Sequence, residues 1–149
     1  MSRHDLEKLI HAFIYSRLDY CNAIFSGLSR RELGQVQLIQ NAAARVLTRT
    51  RKTDHITPVL KSLHWLPVRQ RIEFKILLLT YKSLNGLAPK YITELLPLYE
   101  PSRPLRSANS GLLVVPRVTS QHGKAAFAHY AAVTWNKLPV DLRSAPTLL

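Results

Sequence analysis

Arg45, Thr48, Arg49, Arg51 and Lys52 crowd four cations and a hydroxyl into one short stretch, with Asn41 about one helical turn ahead of Arg45. Guanidinium and ammonium groups neutralise phosphates, while small amide and hydroxyl side chains add short hydrogen bonds to sugar and phosphate oxygens. The chemistry this set can do is electrostatic positioning of a polyanion, with weak preference for sequence. A second basic row, Arg71, Lys75 and Lys82, recurs at helical spacing further on. It fits equally the solvated edge that any surface helix needs and a rail for a phosphate backbone.

Other chemistries find little material. The single cysteine, Cys21, excludes a disulfide framework and any multi-cysteine zinc site, and no base is placed beside it to make it a nucleophile. His55 and His64, near Asp54 and Trp65, lack a metal-ligand spacing and read as capping or packing residues; His122 and His129 stand isolated, without triad partners. Gly-rich phosphate loops, serine elbows and paired metal-binding carboxylates are absent from the sequence. No metal, cofactor or small-molecule substrate is implied.

The balance of charge points the same way. With 21 Lys and Arg against 9 Asp and Glu, the 149-residue chain carries a formal net charge of +12, which favours a polyanionic partner. Nucleic acid is the commonest such partner. The start, MSRHDLEKLIHAF, lacks a signal-peptide core, and no apolar run has membrane-spanning length. The expected location is nuclear or cytoplasmic, not secreted and not in a membrane.

The elements that must hold these side chains read as mostly α, a compact helical bundle around a central helix at about 66–85. There Val68, Ile72, Ile76 and Leu79 make one apolar stripe, and Phe74, Leu77, Leu78 and Tyr81 a nearly opposite one. Pro67 marks its start and Asn85-Gly86 its stop. Ahead of it, Ser2 and Asp5 open a helix over roughly 3–25 whose apolar face takes Leu6, Leu9, Ile10, Phe13, Tyr20, Cys21 and Ile24. Arg17 falls inside that face and needs an edge or a partner. Ser29 and Glu32 form a cleaner capping box for a second helix, with Leu33, Val36, Ile39, Ala43, Val46 and Leu47 inward. Its far side gathers Gly34, Asn41, Arg45, Thr48, Arg49 and Lys52, a small and basic surface suited to close approach of a backbone.

Thr57 and Pro58 start a short helix over Val59–Leu63, and Trp65 anchors the turn into the central helix. After Gly86 come a short helix at Lys90–Leu96 and a Pro-rich connector at 97–111. Leu112–Val115 is a strand candidate without an evident mate. Phe127, Tyr130, Ala131 and Trp135 then form a helical face before a final turn at Val140–Arg143. The domain organisation read from this is a helical region at 1–96, the connector, and a C-terminal extension at 112–149.

Several separated phrases occur in a telling order: Arg17–Asn22 (RLDYCN), Gln37–Arg45, His55–Pro67, Phe74–Pro89, Leu112–Arg117 and Trp135–Pro139. Together they resemble the C-terminal region of non-LTR (LINE-type) retrotransposon reverse transcriptases, over nearly the whole chain. The resemblance implies a helical thumb with its C-terminal extension, which in that family packs along the template–primer duplex. It also implies what is missing. The family's catalytic aspartate pair, its palm and its upstream endonuclease have no counterpart here, since the acidic residues are scattered and no two are adjacent. The expectation is therefore a non-catalytic, nucleic-acid-binding fragment without polymerase activity in isolation. Met1 just ahead of the first helix fits a truncated reading frame or a retained fragment with a new start. The expected partner is an RNA–DNA hybrid or duplex. The alternatives are a helical module that docks a protein through the face the absent palm would cover, and a translated remnant without selected function.

Overall fold

A computed structural model describes residues 2–101, 103 and 111–145. The described chain is mostly α-helical: α1 (Arg3–Ile10), a π-helical segment (His11–Tyr15), α2 (Ser16–Asp19), a 3-10 helix (Asn22–Gly27), α3 (Arg30–Thr48), α4 (Ile56–Ser62), α5 (Val68–Leu84), α6 (Lys90–Thr93), α7 (Gln121–Ala125), α8 (Phe127–Asn136) and α9 (Val140–Arg143). It divides into two compact units, Met1–Ile72 and Glu73–Leu149, so the boundary falls within α5. The boundaries drawn from sequence at 96/97 and 111/112 both lie in the second unit. Among the described residues no helix is long and apolar enough to cross a membrane.

In the first unit both expected capping boxes form. The Ser2 hydroxyl accepts from the Asp5 N–H at 3.1 Å and the Asp5 carboxylate accepts from the Ser2 N–H. Ser29 and Glu32 do the same at the start of α3. These hydrogen bonds hold the Asp5 and Glu32 carboxyls below their usual range. The first helix, expected to run to about residue 25, breaks earlier. The π turn inserts a residue into the helical register and rotates everything after it. Tyr15 thereby enters the core at 3% exposure, while Phe13, Tyr20 and Ile24 remain exposed. Arg17, expected within an apolar face, is carried out to solvent by the same rotation. Cys21, at φ 52°, ends this run in the left-handed region and is itself exposed, rather than a core residue.

The core of the first unit is Ile10, Tyr15, Ala43, Ala44, Leu47, Leu60 and Trp65. The buried face of α3 is turned about one residue from the expected arc. Gln40 and Ala44 are buried, whereas Ile39 and Val46 are more than half exposed. Gln40 explains the turn: its amide nitrogen donates to the Tyr15 hydroxyl at 3.0 Å and to the Leu66 carbonyl at 2.9 Å. A fully buried amide is tolerable only with such partners. α4 starts at Ile56, earlier than expected, which leaves Pro58 in the first turn where its missing N–H costs nothing. His64, at φ 54°, ends it with the Trp65 N–H bonded back to Leu60 O at 2.9 Å.

α5 begins at Val68, whose N–H is capped from another helix by the Gln37 side chain at 2.8 Å. Val68, Ile72 and Ile76 are buried as expected, but the stripe continues through Thr80 and Ser83 rather than Leu79. Thr80 is tolerated there because its hydroxyl donates to Ile76 O at 2.9 Å. Of the opposite stripe Tyr81 is buried and Phe74 is 52% exposed. Gly86, at φ 70°, supplies the stop, with Leu87 N bonded to Lys82 O at 2.7 Å.

In the second unit, helical structure after α5 is shorter than expected at α6. The expected strand at Leu112–Val115 is an isolated antiparallel bridge, and its mate is Leu98. Asn136 clamps it by exchanging two hydrogen bonds of 2.9 Å with the Leu113 backbone, and the Trp135 indole donates to Gly111 O at 2.9 Å. Ala131, Ala132 and Trp135 bury one face of α8. Of the Pro-rich connector, residues 102 and 104–110 lie outside the described residues.

Candidate nucleic-acid interface

The candidate surface is built by the last turns of α3 and the loop that follows. Helices often close on a left-handed residue, and in α3 that residue is Arg49, at φ 56°. Thr50 N then bonds back to Arg45 O at 3.2 Å, the Schellman closure. The next turn is tied by Asp54. Its N–H donates to Arg51 O, and its carboxylate accepts from Arg51 N, both at 3.2 Å. The basic loop is thus held by its backbone together with the Asp54 carboxylate and the Arg45 guanidinium. This leaves the side chains of Arg49, Arg51 and Lys52 exposed, without an ion pair or side-chain hydrogen bond to a described residue.

The remaining candidates on α3 are partly committed. Arg45 is half-buried, and its guanidinium donates to Asp54 O at 3.3 Å. Thr48 donates to Ala44 O at 2.8 Å and meets the Thr50 hydroxyl at 2.7 Å. Asn41 accepts from Gln37 at 2.8 Å. These three line one edge of α3; Arg45 and Thr48 lend fewer free donors than their types promise, whereas Asn41 has committed only its acceptor.

The second basic row falls on both sides of the boundary between the units. Arg71 is half-buried in a bidentate ion pair with Asp19, and its guanidinium lies 5.0 Å from the centre of the Tyr15 ring. Hydrogen bonding to Asp19 holds the Arg71 charge more firmly than usual. Burial pushes the Tyr15 hydroxyl up to about 12, against the opposing effects of Gln40 and Arg71. Tyr15 also meets Trp65 edge-on at 4.6 Å. Arg71 is therefore the outer end of an internal polar network. Lys75 and Lys82 are half-buried and belong to the other unit.

One residue joins the surface that the sequence did not nominate. Arg3, exposed at the start of α1, shares with Arg49 a depression of about 440 Å³, completed by Ser2, Leu6, Leu47, Thr48 and Ser62. Nothing in the local sequence links the two arginines; only the packing of α1 on α3 does. Among the described residues no three potential metal ligands cluster. Comparison with protein-family models, with curated proteins and with solved structures finds no match.

Proposed function

We infer that this chain is a non-catalytic nucleic-acid-binding fragment, similar to the thumb and C-terminal region of a retrotransposon reverse transcriptase. It grips a template–primer backbone, hybrid or duplex, through the basic turn after α3. The single observation that carries the reading is the trio Arg49, Arg51 and Lys52, exposed and unspent on a loop ordered by backbone hydrogen bonds and the Asp54 carboxylate. A preformed loop is spared the backbone part of the ordering cost on meeting phosphate, and only the side chains must be fixed. The chain's +12 charge adds steering. Polymerase activity is not part of the proposal, and a nuclear or cytoplasmic location goes with it.

The test is fluorescence anisotropy against an RNA–DNA hybrid, a DNA duplex and single strands over a salt series. With about four to six phosphates engaged, log affinity should fall against log salt with a slope of roughly −3 to −5. Replacing Arg51 and Lys52 together by Ala should make that slope about 2 units shallower while circular dichroism stays unchanged. A folded double variant with the wild-type slope would remove the assignment.

A protein-interaction role is the second reading. Leu38, Ile39 and Val46 lie exposed along one side of α3, an apolar row next to the basic edge. Salt-insensitive self-association or dye binding, without nucleic-acid binding, would favour it.

A further inference from the structure

We propose that the depression between the start of α1 and the end of α3 is a phosphate pocket, in which Arg3 and Arg49 converge on one phosphate group; this rests on the nucleic-acid reading above. Its volume, about 440 Å³, falls in the range of small-ligand sites of roughly 300–1,000 Å³, so a phosphate fits with part of its sugar. Leu6 and Leu47 give it apolar walls, and the two exposed guanidiniums stand at its rim.

The donors can be assigned by elimination. The Ser2 hydroxyl donates to the Asp5 carboxylate at 2.7 Å, Thr48 to Ala44 O at 2.8 Å, and Ser62 to Val59 O at 2.9 Å. All three hydroxyl hydrogens are taken. Asp5, the nearest acid in sequence, is turned back onto Ser2 and does not line the depression. Arg3 and Arg49, by contrast, have no ion pair or side-chain hydrogen bond with a described residue. The fork of a guanidinium matches two phosphate oxygens at once, so two arginines can cover one phosphate. Arg49 also occupies a left-handed position where glycine is the unstrained choice, so a side chain is present at some backbone cost.

Two arginines on one phosphate make a specific prediction. The salt slope counts phosphates neutralised, not cations present. In duplex binding, Arg3→Ala and Arg49→Gly should each weaken affinity about 5–10-fold. The double variant should weaken it by less than the product of the singles, with the slope shallower by about 1 unit rather than 2. Arg17→Ala removes one exposed charge elsewhere in the same unit and should cost less than either single. The guanidinium NMR signals of Arg3 and Arg49 should move together on titration with inorganic phosphate, and again with duplex.

The outcomes separate cleanly. Additive losses with a slope change near 2 would place the arginines on different phosphates and overturn the pocket, leaving the nucleic-acid reading intact. Variants no weaker than Arg17→Ala would do the same. If wild type ignores duplex but phosphate moves both signals, the pocket takes free or terminal phosphate and the nucleic-acid reading falls. If neither ligand moves them, the pocket fails, and the nucleic-acid reading fails with it only where wild type also shows no duplex binding by anisotropy.

Discussion

The turn after α3 and the first turn of α5 carry the same kind of side chain to opposite ends. Around Arg49, Arg51 and Lys52 the backbone, the Asp54 carboxylate and Arg45 close the loop, and these three cations are left over. At Arg71 the cation is what closes the structure, held by Asp19 on one side and the Tyr15 ring on the other. Formal charge is therefore a poor guide to available charge. A guanidinium already paired and half-desolvated gains little by exchanging its carboxylate for a phosphate.

The sharpest way to break this contrast is through the internal network. Gln40→Ala would leave the Tyr15 hydroxyl and the Leu66 carbonyl without their partner and open a void against buried side chains. The expected loss is about 2–4 kcal/mol in urea unfolding, the largest of these changes. A loss below about 1 kcal/mol would mean the network is decoration. Next comes a paired comparison. Asp19→Ala strands a half-buried guanidinium and should cost about 1–3 kcal/mol, whereas Arg51→Ala should stay within about 0.5 kcal/mol. Equal losses at the two sites would erase the distinction between spent and unspent cations.

Local signals were legible in the sequence. The Ser29 and Glu32 box, the Asn85-Gly86 stop and the mostly helical class depend on neighbours within a turn or two, so residue types suffice to read them. The basic turn after α3 was legible as composition. What escaped depends on partners distant in sequence. Gln40 scores as polar, yet its three-way hydrogen bonding with Gln37, Tyr15 and Leu66 makes it the buried centre of α3. That choice exposed Ile39 and Val46, which periodicity alone had placed inward. The π turn at His11–Tyr15 has no glycine or proline to announce it, and it moved the apolar face from Phe13 to Tyr15. Arg71 read as a surface cation because Asp19 is far away in sequence, and Arg3 went unseen beside Arg49 for the same reason.

The smallest effect is the most informative about Arg49, because it runs opposite in stability and in binding. At φ 56° a side chain crowds the backbone, and glycine relieves that crowding at the cost of a more flexible unfolded chain. Arg49→Gly should therefore raise stability by roughly 0.5–1 kcal/mol in urea unfolding. The same change should weaken duplex binding. A variant that is more stable and binds worse cannot owe its lost affinity to a damaged fold, so the guanidinium itself would be identified as the ligand-facing group. If Arg49→Gly proves less stable than wild type, the side chain holds the turn together. Arg49 would then join Arg71 among the cations the structure has already used.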